Sequence, residues 1–327
     1  MKISFFKSLI IPIVSLHLFT NAEILGDLKI CALMVEFQVD SKESTTGDGT
    51  FLQSIEGIDC DLYHIDPPPH DNSYFYSQLK AANNYFRSAS YGKFGLDMVS
   101  SNVMPSNAST YTLPNEMSYY YPYNQDSLAE IRLVELYEQS LQVAYAADEI
   151  DFSVYDLILV FHAGIGQDFS LPFLDPTPED IPSTFIDSEM IKSAIGSSGI
   201  SIGNTVINKG VILPESQNHL NFDISNSMFA GEPDPCDYQF GLNGTISLMI
   251  GFAIGLPPLW DIEKGKSRIG VFGLMDQGSN NGRGLIPSPP DPWSRVFAGW
   301  EAPNTITSSS LVYLPKRGEN NLIKVEI

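Results

Sequence analysis

The chain has 327 residues, with 39 Asp and Glu against 18 Lys and Arg, 43% hydrophobic residues and 11% aromatics. That composition can build a core and is unlike the polar, aromatic-poor profile of a disordered chain. A net charge of −21 excludes sequence-independent nucleic-acid binding, which needs cations to release counterions from phosphates, and argues against docking on anionic membranes.

The first 22 residues read as a signal peptide. Lys2 and Lys7 form a short basic region, Leu9 to Phe19 is mostly apolar, and Thr20-Asn21-Ala22 offers small residues for cleavage after Ala22. The apolar part falls short of the roughly 20 residues a membrane span requires, so a secreted, extracellular protein is expected. The acidity then reads as a solvated surface that keeps it soluble.

Leu28 to Val39 is a β-rich apolar run and reads as a core strand. Gly47 to Gly49 and Pro67-Pro68-Pro69 are loop, and His70, directly after the prolines, reads as exposed. Ser73 is placed to cap a helix from Tyr74 whose buried stripe is Phe75, Leu79, Ala82, Phe86 and Ala89, with Gly92 ending it. Residues 95–115 read as short strands and turns. A second helix starts near Asp126, where Ser127 and Glu130 fit a capping box, and carries Leu128, Ile131, Glu135 and Leu141 on a mixed face.

Leu157 to Phe161 reads as a strand buried on both sides. Residues 163–184 are a Gly/Pro/Asp-rich loop, and Thr205 to Leu213 reads as a hairpin around Asn208-Lys209-Gly210. Ile246 to Ile254 is apolar all round, too short to span a membrane, and so a buried helix. Gly255 sits where a left-handed cap residue belongs, and Pro257-Pro258 forbid continuation. Leu311 to Leu314 and Leu322 to Ile327 are strand-like. The fold class expected is α+β. The organisation expected is a leader (1–22), one main domain (23–305) and a β segment (306–327) that stops inside an apolar alternation, as a truncated piece of a longer parent would.

Cys31, Cys60 and Cys236 are odd in number and include no CxxC pair, so buried free thiols are expected. Asn107-Ala108-Ser109 and Asn243-Gly244-Thr245 are formal glycosylation sequons. No GxSxG elbow is present, and Gly164-Ile165-Gly166 lacks the third glycine of a dinucleotide loop.

The chemistry concentrates in GLNGTISLMIGFAIGLPPLWD, residues 241–261. Its frame resembles the active-site helix of the immune inhibitor A-like secreted zinc metallopeptidases (the M6 family), whose pattern is similar to HExxHxxGxxD followed by LYD. Gly251, Gly255, Leu256-Pro257, Leu259 and Asp261 keep the frame. The resemblance extends to IDPPPHDNSYF (65–75), YDLILVFHAG (155–164), DPTPEDIPS (175–183), VILPES (211–216) and a stretch over 269–303. Within that stretch, Gly273-Leu274-Met275-Asp276 resembles the methionine turn beneath the zinc. The resemblance implies a zincin-like fold, with a twisted mixed sheet, a central active-site-type helix and a site for zinc.

The working positions are replaced. Leu248 and Phe252 stand at the two histidine positions, Met249 at the general base and Pro258 at the third ligand. Hydrolytic zinc needs three protein donors and an open place for water. The glutamate takes a proton from that water. Leu, Phe and Pro offer no side-chain lone pair, and a thioether is soft and cannot act as a base at neutral pH. No zinc and no catalytic residue are expected, and the remaining function would be binding, of an extracellular protein or peptide if of anything, or none that is selected. Three alternatives stay open. The first is an active peptidase with a site rebuilt from His162 or His219 with Asp261 or Asp276. The second is calcium at Glu232, Asp234 and Asp237. The third is an adhesion or carbohydrate-contacting module using its aromatic-rich surface; Trp260, Trp293 and Trp300, which flank the cleft, themselves read as core or rim packing.

Overall fold

The computed structural model describes residues 23–54, 65–107, 109–169, 175–222, 235–261, 266–313, 316, 318 and 321–325. Residues 1–22, read above as a leader, and Cys60, His64, Glu232 and Asp234 lie outside the described residues, as does the side chain of Cys236. Cys31 is a buried free thiol.

The architecture is mixed α+β, built on a six-stranded sheet. In chain order, β1 (Gly26–Leu28) and β2 (Ile30–Glu36) lead into α1 (Asn72–Ala89). Three short strands follow: β3 (Phe94–Leu96), β4 (Asn102–Met104) and β5 (Tyr111–Thr112). Then come α2 (Met117–Tyr120), α3 (Asp126–Asp148), β6 (Leu157–Ile165), β7 (Thr184–Ile186) and α4 (Ser188–Ile195). The second half holds β8 (Ile200–Ile202), β9 (Thr205–Ile207), β10 (Gly210–Ser216) and α5 (Asn243–Ala253). It continues with β11 (Trp260–Asp261), β12 (Lys266–Ser267), α6 (Pro292–Phe297), β13 (Asn304–Ile306) and β14 (Ile323–Val325).

The main sheet runs β4-β2-β6-β10-β7, with β5 also on β2. All its pairings are parallel except β10 with β7, so the sheet is mixed. β6 and β10 are buried at every position, as expected for parallel strands covered on both faces. The stripe read for α1 is buried in full. Its cap, however, is Asp71, which accepts from the Tyr74 N–H, not Ser73.

Other local expectations are corrected by longer-range packing. The capping box at Ser127 and Glu130 does not form; Gln125 precedes α3 without a side-chain cap. Leu128 and Ile131 face solvent, while Leu133, Leu136, Tyr137, Leu141 and Ala144 make the buried face. The hairpin is β8 with β9, turning at Gly203-Asn204; β9 and β10 do not pair. β10 is instead drawn between β6 and β7, where its apolar run is covered on both sides. Residues 311–313 form no strand, and β13 pairs with β14. Among the described residues no helix is long and apolar enough to cross a membrane.

One irregularity positions buried chemistry. The β6–β10 register is His162 opposite Pro214 but Ile165 opposite Ser216, so β6 carries an extra residue. Gly164, at φ +89°, takes up this bulge. Its N–H donates to Glu215 Oε1 at 2.6 Å. Glu215 Oε2 accepts from the Leu52 N–H at 2.9 Å and pairs with His70 Nδ1 at 2.6 Å. His70 is therefore fully buried, contrary to the exposed position expected after the prolines. Its ring stacks on Tyr74 at 4.3 Å, and Nε2 lies 3.2 Å from the Asp66 carbonyl. Burial works against the imidazolium, but the Glu215 carboxylate and the Asp66 carbonyl outweigh it, and the affinity of His70 for its proton is raised.

Candidate functional site

α5 lies on α1, β7 and β10. It has no side-chain cap, so its start is held by neighbouring chain. The Leu242 N–H donates to Asp66 Oδ2 at 2.8 Å, and the Gly244 N–H to the Gly284 carbonyl at 2.7 Å. Its end is a Schellman turn. The Leu256 N–H reaches the Gly251 carbonyl and the Gly255 N–H reaches the Phe252 carbonyl, with Gly255 at φ +88°. The cap expected at Gly255 is thus present. Lys209 Nζ donates to the Ala253 carbonyl at 3.1 Å, where a cation favours the helix dipole.

The outward face of α5 floors a cavity of about 430 Å³. Leu248, Met249, Phe252, Pro258, Trp260 and Met275 supply its apolar surface. Asp168, Thr245, Asp276, Gln277, Ser279 and Asn280 supply the polar one. All four replaced positions singled out in the sequence therefore meet at one cavity. The Phe252 ring lies nearly parallel to that of Phe185, centroids 6.4 Å apart. Met275 passes against the helix at Gly251; a Cβ there would come within 2.7 Å of the Met275 sulfur. The Met275 carbonyl accepts from the Leu259 N–H at 2.9 Å, tying the turn to the segment after α5.

Asp276 is held as an anion by its own loop. Its Oδ2 accepts the N–H groups of Arg268, Ile269 and Gly270 at 2.7–2.9 Å and the Ser267 hydroxyl at 3.1 Å. Its Oδ1 accepts from the Gln277 N–H. Burial alone would raise this carboxyl, but these donors lower it below the usual carboxylate range. Asp168, which also lines the cavity, has its carboxyl raised by burial despite hydrogen bonds from Ser183 and Gln217. Sequence reading missed Asp168, Gln277 and Asn280. Asp168 comes from a 3-10 turn after β6, and Gln277 and Asn280 share one 3-10 turn just after the methionine turn; no local spacing links either turn to α5.

The alternative metal set is not brought together. His162 is fully buried inside β6, with Nδ1 2.8 Å from the Ala163 carbonyl, and burial lowers its pKa to about 4. His219 sits in a buried 3-10 turn (His219–Phe222) with its ring edge-on to Phe240, and burial likewise lowers it to about 4. Neither lines the cavity. Asp261 pairs with Arg268. Among the described residues no group of three or more His, Cys, Asp or Glu is arranged to hold a metal ion. Of the tryptophans, only Trp260 lines the cavity. Trp300 is wholly buried and stacks on Phe94, and Trp293 is exposed against Phe297. No family model and no curated protein matches the chain.

Proposed function

We propose that the protein is a secreted, catalytically inactive relative of the immune inhibitor A-like zinc metallopeptidases, with a zincin-like fold whose cleft is retained for binding an extracellular peptide or protein. One observation supports this reading above the rest. Leu248, Met249, Phe252 and Pro258, the positions where that family carries ligands and base, all line a single cavity, with Met275 packed against the same helix. Their side chains do not fit zinc, since none offers the imidazole or carboxylate donor that a hydrolytic site requires. The same groups fit an apolar floor, which stabilises the fold by about 25 cal/mol per Å² removed from water.

The test is direct. The purified chain is expected to carry no stoichiometric zinc and to leave casein and gelatin intact with or without chelator. Stoichiometric zinc with chelator-sensitive cleavage overturns the reading. The reconstruction Leu248→His, Met249→Glu, Phe252→His and Pro258→Asp is expected to confer zinc binding, measured by metal content after dialysis. A folded quadruple variant that takes up no zinc would show that the family register along α5 is misassigned.

A further inference from the structure

We infer that the cavity on α5 is a site for a primary ammonium group attached to an aromatic or branched apolar body. The inference rests on the cleft being a binding site, but not on its descent from a zinc enzyme. Small-molecule sites are concave, mostly apolar and commonly about 300–1,000 Å³, with a few polar groups fixing orientation. The 430 Å³ cavity falls in that range. Its apolar side is aromatic as well as aliphatic: Phe252 is backed by the parallel ring of Phe185, and Trp260 is half-buried at the wall.

Charge selects the polar end. Among the described lining residues two are carboxylates and none is Lys, Arg or His. Asp276 is buried and accepts five hydrogen bonds from its own loop, four of them at Oδ2, so its main contribution to the cavity is negative potential. Asp168 differs. It lines the cavity and is fixed by Ser183, whose N–H reaches Oδ1 at 2.9 Å and whose hydroxyl reaches Oδ2 at 2.6 Å. Gln217 Nε2 also donates to Oδ2. A carboxylate has about four acceptor sites, and Oδ1 accepts one N–H, so it retains an acceptor site on a residue that lines the cavity. An ammonium there would gain a charge-assisted hydrogen bond in a cavity that also carries aromatic rings, which favour cations. An anionic ligand would face both carboxylates.

The same chemistry occurs in free amines and at the N-termini of apolar peptides. Calorimetric titration of the full chain uses phenethylamine, 2-phenylethanol, 3-phenylpropionate and the peptide Phe-Ala-Ala. Phenethylamine is expected to bind about tenfold more tightly than 2-phenylethanol, the scale of one hydrogen bond to a charged group, and 3-phenylpropionate not at all. Phe-Ala-Ala binding more tightly than phenethylamine assigns the site to peptide N-termini, and weaker binding assigns it to free amines. Asp168→Asn is expected to remove the amine-over-alcohol preference while leaving the alcohol bound. Equal affinity for amine and alcohol in the unaltered protein overturns the inference without any variant, as does absence of binding by every probe. Amine selectivity that survives in a folded Asp168→Asn protein also overturns it. The zinc reconstruction reads only the family register, so the two ideas fail separately.

Discussion

Ser247 is the one clearly polar side chain in the apolar stretch of α5, and it is completely buried with no partner for its hydroxyl. A buried polar group without a hydrogen bond costs about 1–3 kcal/mol. Ser247→Ala removes that hydroxyl and adds a better helix former. It is expected to raise stability by about 0.5–1.5 kcal/mol, measured by urea denaturation; a lower midpoint would mean that the hydroxyl is satisfied. The buried pair of His70 and Glu215 has the opposite character. Glu215→Ala leaves an imidazolium enclosed beside two unpaired N–H groups, those of Leu52 and Gly164. Loss of one member of a buried ion pair costs about 3–5 kcal/mol, so this variant is expected to be strongly destabilised or unfolded. A loss below about 1 kcal/mol, the scale of an exposed pair, would contradict the pairing. None of this was legible at His70, because its partner lies 145 residues away and the preceding prolines speak only of loop.

Two glycines separate backbone strain from crowding at the level of whole elements. Gly255 ends α5 at φ +88°, and a Cβ there would meet nothing within 4 Å. Gly255→Ala is expected to cost only the left-handed penalty, about 1–2 kcal/mol. Gly164, at φ +89° in the β6 bulge, would place its Cβ 3.0 Å from Met117 and 3.2 Å from the Thr46 carbonyl. Gly164→Ala is therefore expected to cost more than Gly255→Ala, and equal thermal shifts in the two variants would count against the bulge. Elements with strong periodicity were legible from sequence. The α1 stripe, the core of β6 and the limits of α5 all follow from residue spacing and glycine placement. The hairpin around Asn208 was misread because β10 satisfies its backbone with β6 and β7, and a parallel partner about 50 residues upstream leaves no local mark. The cavity floor was readable because a helix fixes its own register. The wall residues Asp168, Gln277 and Asn280, brought in by turns distant in sequence from α5 or without a motif of their own, were not.

Across the whole molecule, proton linkage gives stability a direction above pH 6.5. His70 binds its proton more tightly folded than unfolded. Its contribution is therefore complete below the unfolded value near 6.5 and is lost as pH rises through the folded value. Asp180 is buried against Thr46 and Thr177, and burial raises its carboxyl to about 7. A raised carboxyl also makes the folded state retain protons, so Asp180 lowers stability as pH climbs to about 7. His162 and His219 are pushed down to about 4 by burial; their effect lies between that value and 6.5 and is complete above it. The melting temperature is expected to fall from pH 6.5 to 8.5. A flat or rising profile would be inconsistent with a protonated His70.

The chain near residue 24 and the chain near residues 298–300 are stitched together. The Ile24 N–H donates to the Ala298 carbonyl at 3.1 Å, and the Trp300 indole N–H donates to the Ile24 carbonyl at 2.7 Å. β1 lies alongside β3, and Lys93 Nζ reaches the Trp300 carbonyl. Tension applied between residues 23 and 303 would load these few contacts first and peel the ends apart like a zipper before the central sheet bears force. A pair of dyes at the same two positions would brighten energy transfer on folding and lose it at the first stage of mechanical opening.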